Sequence, residues 1–299
     1  LPAEHGLVGY RIMHPTLGLL SPLRDWGGIA DVRRWQHAKP LFELASQFGL
    51  RARTYGRPAH SESGLTRAIL SGAEYVGGDT IADRLSAAAR DLRSPSPLLA
   101  YVYVDELDRA GHQNGWQSRQ WSDRLEQLDR ALGDFLTSLP PHTGVILTAD
   151  HGMVDIESHQ QIVFDHREPA FAHVTAVGGE PRFRTFFMDP AGDVAALTAW
   201  LEAREGKRAW IGTRDEAFAA GLFGDHLTPG VVERVGDVIL AARGQCAYYM
   251  TTDDEQSLEM VGQHGSLTDE ERGIPLVLAG ALAGSGFAKA VETLAAVHG

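Results

Sequence analysis

Three features predict an α/β protein whose helices cover both faces of a mostly parallel sheet. Short apolar runs alternate with stretches of helical periodicity along most of the 299 residues. Leu98 to Val104 is a near-continuous apolar run, the pattern of a strand covered on both sides. A run at Val145–Ala149 opens directly onto Asp150-His151-Gly152, so polar chemistry is presented at a strand's carboxyl end, where open α/β sheets place their ligands.

The elements follow in order. Lys39 to Phe48 reads as a helix with Leu41, Leu44, Ala45 and Phe48 on one face, ended by Gly49 and followed by a short strand, Leu50 to Tyr55. Asp79-Thr80 can cap a helix carrying Ile81, Leu85, Ala88 and Leu92, which Ser94-Pro95-Ser96-Pro97 breaks. After the Leu98–Val104 strand comes a long helix with Trp121, Leu125, Leu128, Leu132, Phe135 and Leu139 at spacings of three and four, stopped by Pro140-Pro141. Strand, helices and the Val145–Ala149 strand together predict a right-handed crossover between two parallel strands. Further on, Phe183 to Met188 and Val238 to Ala242 read as strands and Asp193 to Glu205 as a helix. Ile274 to Ala279 reads as another strand and Phe287 to Val297 as a closing helix. The whole is expected to be one domain, residues 1–299, with a possible inserted subdomain at about 160–245.

Composition narrows the function. A hydrophobic content of 43% with 22% charged residues is that of a globular protein. The net charge of −12 argues against a nucleic-acid polymer as partner, because backbone binding needs Lys and Arg. It leaves room for a small phosphate ester if bound cations invert the local field. Cys246 is the one cysteine, so neither a disulfide within the chain nor a cysteine-based zinc site is available, and a buried inert thiol is expected. No apolar stretch is long enough to span a bilayer, and no signal peptide is visible in a chain that begins with Leu1. These features, with the low cysteine use, give a cytoplasmic expectation.

The chemistry lies in three separated segments. Asp108-Arg109-Ala110-Gly111-His112 follows one apolar run, Asp150-His151-Gly152 follows another, and His264-Gly265 lies downstream. Together they offer Asp108, His112, Asp150, His151 and His264, the carboxylate and imidazole donors that divalent metals of phosphoryl chemistry use. Asp108 and His112 are four residues apart, so one helical turn or a tight loop could aim both at one ion. Adjacent Asp150 and His151 diverge on a regular strand but can converge at a strand-end turn, which Gly152 permits. Each segment alone has a plainer reading: a turn after a strand, a surface ion pair, a loop histidine. His159, His166 and His173 lie in a polar segment and are read as solvent-facing or structural. Trp116 and Trp121 are read as packing residues.

At these positions the sequence resembles the nucleotide pyrophosphatase/phosphodiesterase family of the alkaline phosphatase superfamily. The resemblance is carried by His5-Gly6, by Asp108-x-x-Gly-His112-x-x-Gly115, by Thr148-Ala149-Asp150-His151-Gly152-Met153, and by Gly262-Gln263-His264-Gly265. It implies a three-layer α/β/α alkaline-phosphatase-like fold with a small inserted cap. It also implies two divalent ions, with Zn2+ favoured, although manganese, iron or cobalt would suit the same donors. One ion would take Asp108, His112 and His264. The other would take Asp150 and His151 with an upstream aspartate and a threonine nucleophile that forms a covalent intermediate.

The chain departs from the family pattern at two places. The aspartate and threonine would precede His5-Gly6, so they are expected upstream of residue 1, and Thr16, Thr54 and Thr66 do not match that motif. The chain alone is therefore expected to be inactive or nearly so. An asparagine that several family members carry shortly after the His-Gly is replaced by the run Leu7-Val8-Gly9-Tyr10, where Tyr10 is the candidate substrate contact. The implied activity is hydrolysis of a small phosphodiester or nucleotide. The alternatives are a phosphonoacetate hydrolase, a phosphomonoesterase, or a non-catalytic metal-binding module if no upstream nucleophile exists.

Overall fold

The computed structural model describes residues 1–29, 32–287 and 289. Its parallel ladder has Arg51–Gly56 in the centre, flanked by Glu74–Gly77 and Leu98–Val102. Over this ladder lies the helix Ile81–Leu92. Its start is set by reciprocal bonds in which the Thr80 hydroxyl accepts from the Asp83 N–H and the Asp83 carboxylate accepts from the Thr80 N–H, both 3.1 Å. Ile81, Leu85, Ala88 and Ala89 then pack on Tyr55 and on Phe135 of the long helix Arg119–Ser138. That is the apolar stripe the spacing predicts.

Three expectations need correction. The Lys39–Phe48 helix is a short α-helix, Leu41–Ala45, that tightens into a 3₁₀ turn over Ser46–Phe48. The helix buries Phe42 and Ala45, and Leu41 and, in the 3₁₀ turn, Phe48 are exposed. Leu98–Val102 is only half-buried, with Tyr101 exposed. The two strands expected to flank a crossover also share no ladder. Leu98–Val102 bonds to Arg51–Gly56, whereas Gly144–Thr148 pairs antiparallel with Leu276–Gly280. Two helices separate them in sequence, Glu106–Asn114 and Arg119–Ser138, a connection long enough to reach past a neighbouring position. Both strands still feed one apolar cluster, through Val102, Val104 and Val145.

Residues 174–242 contribute a four-stranded antiparallel sheet in the order Ala209–Thr213, Val238–Ala242, Phe183–Met188, Val174–Glu180. The helix Val194–Glu205 covers it, capped by Asp193, whose carboxylate accepts from the Ala196 N–H. Phe186, Leu197, Leu201 and Leu240 form its core with Phe164, Phe171 and Tyr248. Cys246 is buried at the edge of this core, and burial raises its thiol. The architecture is thus a mixed α/β fold, its sheet partly parallel and partly antiparallel, flanked by helices. The expected closing helix Phe287–Val297 falls almost wholly outside the described residues. Among the described residues no helix is long and apolar enough to cross a membrane.

Candidate metal centre

Asp108 and His112 share the helix Glu106–Asn114 that leaves the carboxyl end of the parallel ladder. Their four-residue spacing puts them on one helical face. His112 Nε2 lies 3.3 Å from Asp108 Oδ1, an oxygen that is buried and has no hydrogen-bond partner. The helix approaches the strand Gly262–Gln263 closely because neither Gly111 nor Gly262 carries a side chain. A Cβ on Gly262 would fall 2.5 Å from the Gly111 carbonyl and 2.2 Å from Met153 Sδ. Two hydrogen bonds seal the approach. Val261 N–H donates to the His112 carbonyl, and His112 Nδ1 donates to the Gly262 carbonyl, each 2.8 Å.

That strand delivers His264. Asp108, His112 and His264 each offer a ligand atom, all within 4.8 Å of one another. His151 adjoins them: its ring stacks on His264 with centroids 3.5 Å apart, and its Nε2 is 3.9 Å from Asp108 Oδ1. Its Nδ1 donates to the Gly152 carbonyl at 2.8 Å. Asp150 stands at the rim with its side chain 79% exposed and Oδ1 3.8 Å from His151 Nε2. Three of the five expected ligands therefore converge tightly, one abuts them, and one faces solvent.

The donors suit a cation. Burial beside His151 and His112 pushes His264 down to about 3, leaving it a neutral imidazole at neutral pH. Burial would raise the Asp108 carboxyl, but the adjacent imidazoles of His112, His264 and His151 outweigh it and hold it below the ordinary carboxylate range. Burial likewise opposes charge on His112, yet the Asp108 carboxylate beside it and its bond to the Gly262 carbonyl leave its pKa raised. Because a carbonyl can only accept, Nδ1 of His112 and of His151 carries the proton and Nε2 is left with the lone pair. An unpartnered buried carboxylate oxygen facing such nitrogens is a donor set that fits Zn2+ or a similar ion.

One neighbour is not indicated by any motif. Glu180, the last residue of the strand Val174–Glu180, sets Oε2 3.3 Å from His264 Nδ1. Burial pushes its carboxyl up to about 7. Sequence offered no signal for it, since it lies 84 positions from His264 in a segment read only as possible insert.

The remaining candidates stand elsewhere. The Tyr10 hydroxyl accepts from Arg24 at 3.2 Å. His5 Nδ1 accepts from the Leu7 N–H, and the Gly6 carbonyl accepts from Arg234. Thr16 bonds His14, Thr54 is buried with its hydroxyl unpartnered, and Thr66 donates to the His60 carbonyl. His159, His166 and His173 pair with Glu157, Asp165 and Asp189 on the surface.

Comparison with known proteins identifies the fold and the family. The fold is that of the alkaline phosphatase superfamily. It matches murine ectonucleotide pyrophosphatase/phosphodiesterase 5, in an inactive threonine-to-alanine form with AMP, at a TM-score of 0.69 with 16% identity, covering 94% of this chain and 73% of that one. It also matches phosphonoacetate hydrolase from Sinorhizobium meliloti 1021 at 0.63 with 17% identity, covering 93% and 75%. Within that superfamily the chain belongs to the Type I phosphodiesterase / nucleotide pyrophosphatase family, whose sequence model matches residues 1–267. Venom phosphodiesterase 2 of Crotalus adamanteus is 27% identical over 165 residues, 52% of this chain and 20% of that protein. Ectonucleotide pyrophosphatase/phosphodiesterase family member 1 of Mus musculus is 24% identical over 162 residues, 51% of this chain and 17% of that protein. The chain thus spans about a fifth of the length of these relatives.

Proposed function

We propose that the protein is a metal-dependent phosphoric ester hydrolase acting on a small phosphodiester or nucleotide, with two divalent ions, Zn2+ favoured. The observation that carries this reading is the convergence of Asp108, His112 and His264 in a chain of the phosphodiesterase family. Asp108, His112 and His264 would hold one ion; Asp150 and His151 would contribute to the second. When bound, such ions supply Lewis-acid polarisation of a phosphoryl oxygen and lower the pKa of a nucleophile.

The chain's own residues set up that chemistry. Nδ1 donation by His112 and His151 fixes both rings with Nε2 as the free ligand nitrogen. Asp108 supplies negative charge where the imidazoles supply none, which offsets part of the charge of a bound cation. The exposed Asp150 leaves that side of the centre open to an ester from solvent. Tyr10 precedes Arg11, whose carbonyl accepts from the Gly179 N–H next to Glu180, which ties this segment to the Glu180 side of the centre. This makes Tyr10 the proposed phosphoryl contact. For the nucleophile we assign a threonine outside these 299 residues, in line with the threonine-to-alanine change that accompanies inactivity in the murine neighbour.

A second reading, phosphonoacetate hydrolysis or phosphomonoester cleavage, is favoured by the fold match to the Sinorhizobium enzyme. Rates on a bis-aryl phosphate, an aryl monophosphate and phosphonoacetate, measured on the full-length protein loaded with Zn2+, separate the two. Preference for the diester is expected. A large preference for the monoester or for phosphonoacetate would sink the diester assignment.

A further inference from the structure

We propose that Glu180 is a positioning residue for the metal centre: its carboxylate holds the His264 ring in the tautomer that presents Nε2 to the ion. The inference rests on the metal-site reading above. All three imidazoles of the centre have Nδ1 beside an oxygen. For His112 and His151 that oxygen is a backbone carbonyl, of Gly262 and Gly152, each at 2.8 Å. For His264 it is Oε2 of Glu180, at 3.3 Å. With a cation bound beside His264, Glu180 would take its ionised form, whose charge, which a carbonyl lacks, raises the basicity of the imidazole it contacts and so the strength of the metal bond.

The surrounding chain is shaped around this contact. Gly265, directly after His264, has a φ of 113°, and a Cβ there would fall 2.8 Å from Glu180 Oε2. The residue after the ligand therefore leaves space for the carboxylate. Glu180 is also held from behind. It pairs with Phe183 across a tight hairpin, and within that hairpin Arg182 is fully buried and donates two bonds to Glu271, 2.7 and 2.8 Å. Glu271 Oε1 in turn accepts from Ser266 N–H at 2.9 Å, two residues beyond His264. The buried pair thus locks the Glu180 hairpin to the His264 loop. The antiparallel sheet of residues 174–242 thereby contributes a group to a centre whose ligands all come from elsewhere in the chain.

The test is metal binding by the purified, metal-stripped protein, read with Zn2+ against a chromophoric chelator and with Co2+ by its visible spectrum. Glu180→Ala should weaken Zn2+ binding by about 10- to 100-fold, the range for losing a group that orients a ligand. Glu180→Gln keeps the shape and an acceptor but not the charge, so it should fall between wild type and Glu180→Ala and shift the Co2+ bands. Glu157→Gln, on the surface beside His159, should match wild type. If Glu180→Ala fails to fold, the near-isosteric Glu180→Gln still decides. Wild-type Zn2+ affinity and an unshifted Co2+ spectrum in Glu180→Gln and in any folded Glu180→Ala would overturn the assignment while leaving the metal centre standing. Failure of the wild-type protein to bind Zn2+ would overturn the centre and this inference with it.

Discussion

The two halves of the acid–histidine constellation are built by different means. Asp108, His112 and His264 come from a helix and a strand-to-loop junction that are bolted together by backbone hydrogen bonds and by glycine-to-glycine contact. Asp150 and His151 ride the end of Gly144–Thr148, a strand with one antiparallel partner among the described residues, and Asp150 is 79% exposed. Ligand type is a local property of a motif. Ligand convergence is a tertiary one, and only the first half has it complete.

The largest effect should come from breaking the assembled half. His112→Ala removes a ligand and leaves Asp108 Oδ1 buried without its imidazole, so Zn2+ affinity should drop on the order of 100-fold or more, at or beyond the upper end seen for loss of supporting groups. His264→Ala should likewise cost about one equivalent of tightly bound metal. Asp150→Asn, in the open half, should leave that tight binding within about two-fold while abolishing any turnover of the full-length protein, because its proposed role is to help hold a second ion. Titration of the three variants side by side checks this. Equal losses of tight metal in all three would erase the distinction between the halves.

An intermediate effect should follow from Gly262→Ala, which attacks the packing and touches no ligand. The new methyl would meet the Gly111 carbonyl at 2.5 Å, and backbone cannot swing aside as a side chain can. Overpacking of this kind costs about 1–3 kcal/mol. The helix Glu106–Asn114 should be pushed off the strand, so metal affinity should fall together with the melting temperature. A variant that melts earlier yet binds Zn2+ as well as wild type would show that the close approach serves stability alone.

How much of this could be read from sequence follows the same division. The cap at Thr80, the stripe through Leu128, Leu132, Phe135 and Leu139 and the strand Phe183–Met188 are dictated by neighbours in sequence and stand where the residues say, although Leu125 of the same stripe is exposed. Asp108 and His112 were legible as a pair because a helix fixes their geometry in four residues. The failures lie where distant segments decide. Leu98–Val102 and Gly144–Thr148 look alike as apolar runs, yet each takes a partner that no local pattern specifies. The helix beginning at Leu41 turns Phe42 and Ala45 inward and leaves Leu41 exposed, a choice of face that its own apolar residues do not settle. Glu180 was invisible for the same reason as the strand pairing, since a lone glutamate at a hairpin acquires meaning only when His264 is folded against it.

The smallest effect, and the one that tests whether the assembled half stands apart from the sheet beneath it, concerns Asp91. It accepts from the Tyr55 hydroxyl at 2.8 Å and pairs with Arg53 at 2.7 Å, joining the helix Ile81–Leu92 to the central parallel strand. Burial alone would raise this carboxyl, but the bonds from Tyr55 and Arg53 outweigh it and hold it below its ordinary range. A folded-state value below the unfolded one stabilises the protein above the unfolded value, about 3.9, and that contribution fades as pH falls through the folded value. Asp91→Asn should therefore cost about 1 kcal/mol near neutral pH, where a hydrogen-bonded charge is lost. As pH falls through the lowered folded-state value the two proteins should approach equal stability, since both then present a neutral side chain. Urea melts at pH 7 and at a series of acidic pH values measure the difference. Zn2+ affinity at pH 7 should not change, because Asp91 touches none of the ligands. A parallel loss of metal binding would mean that the helix bearing Asp108 and His112 is positioned by the parallel ladder rather than by its contact with Gly262.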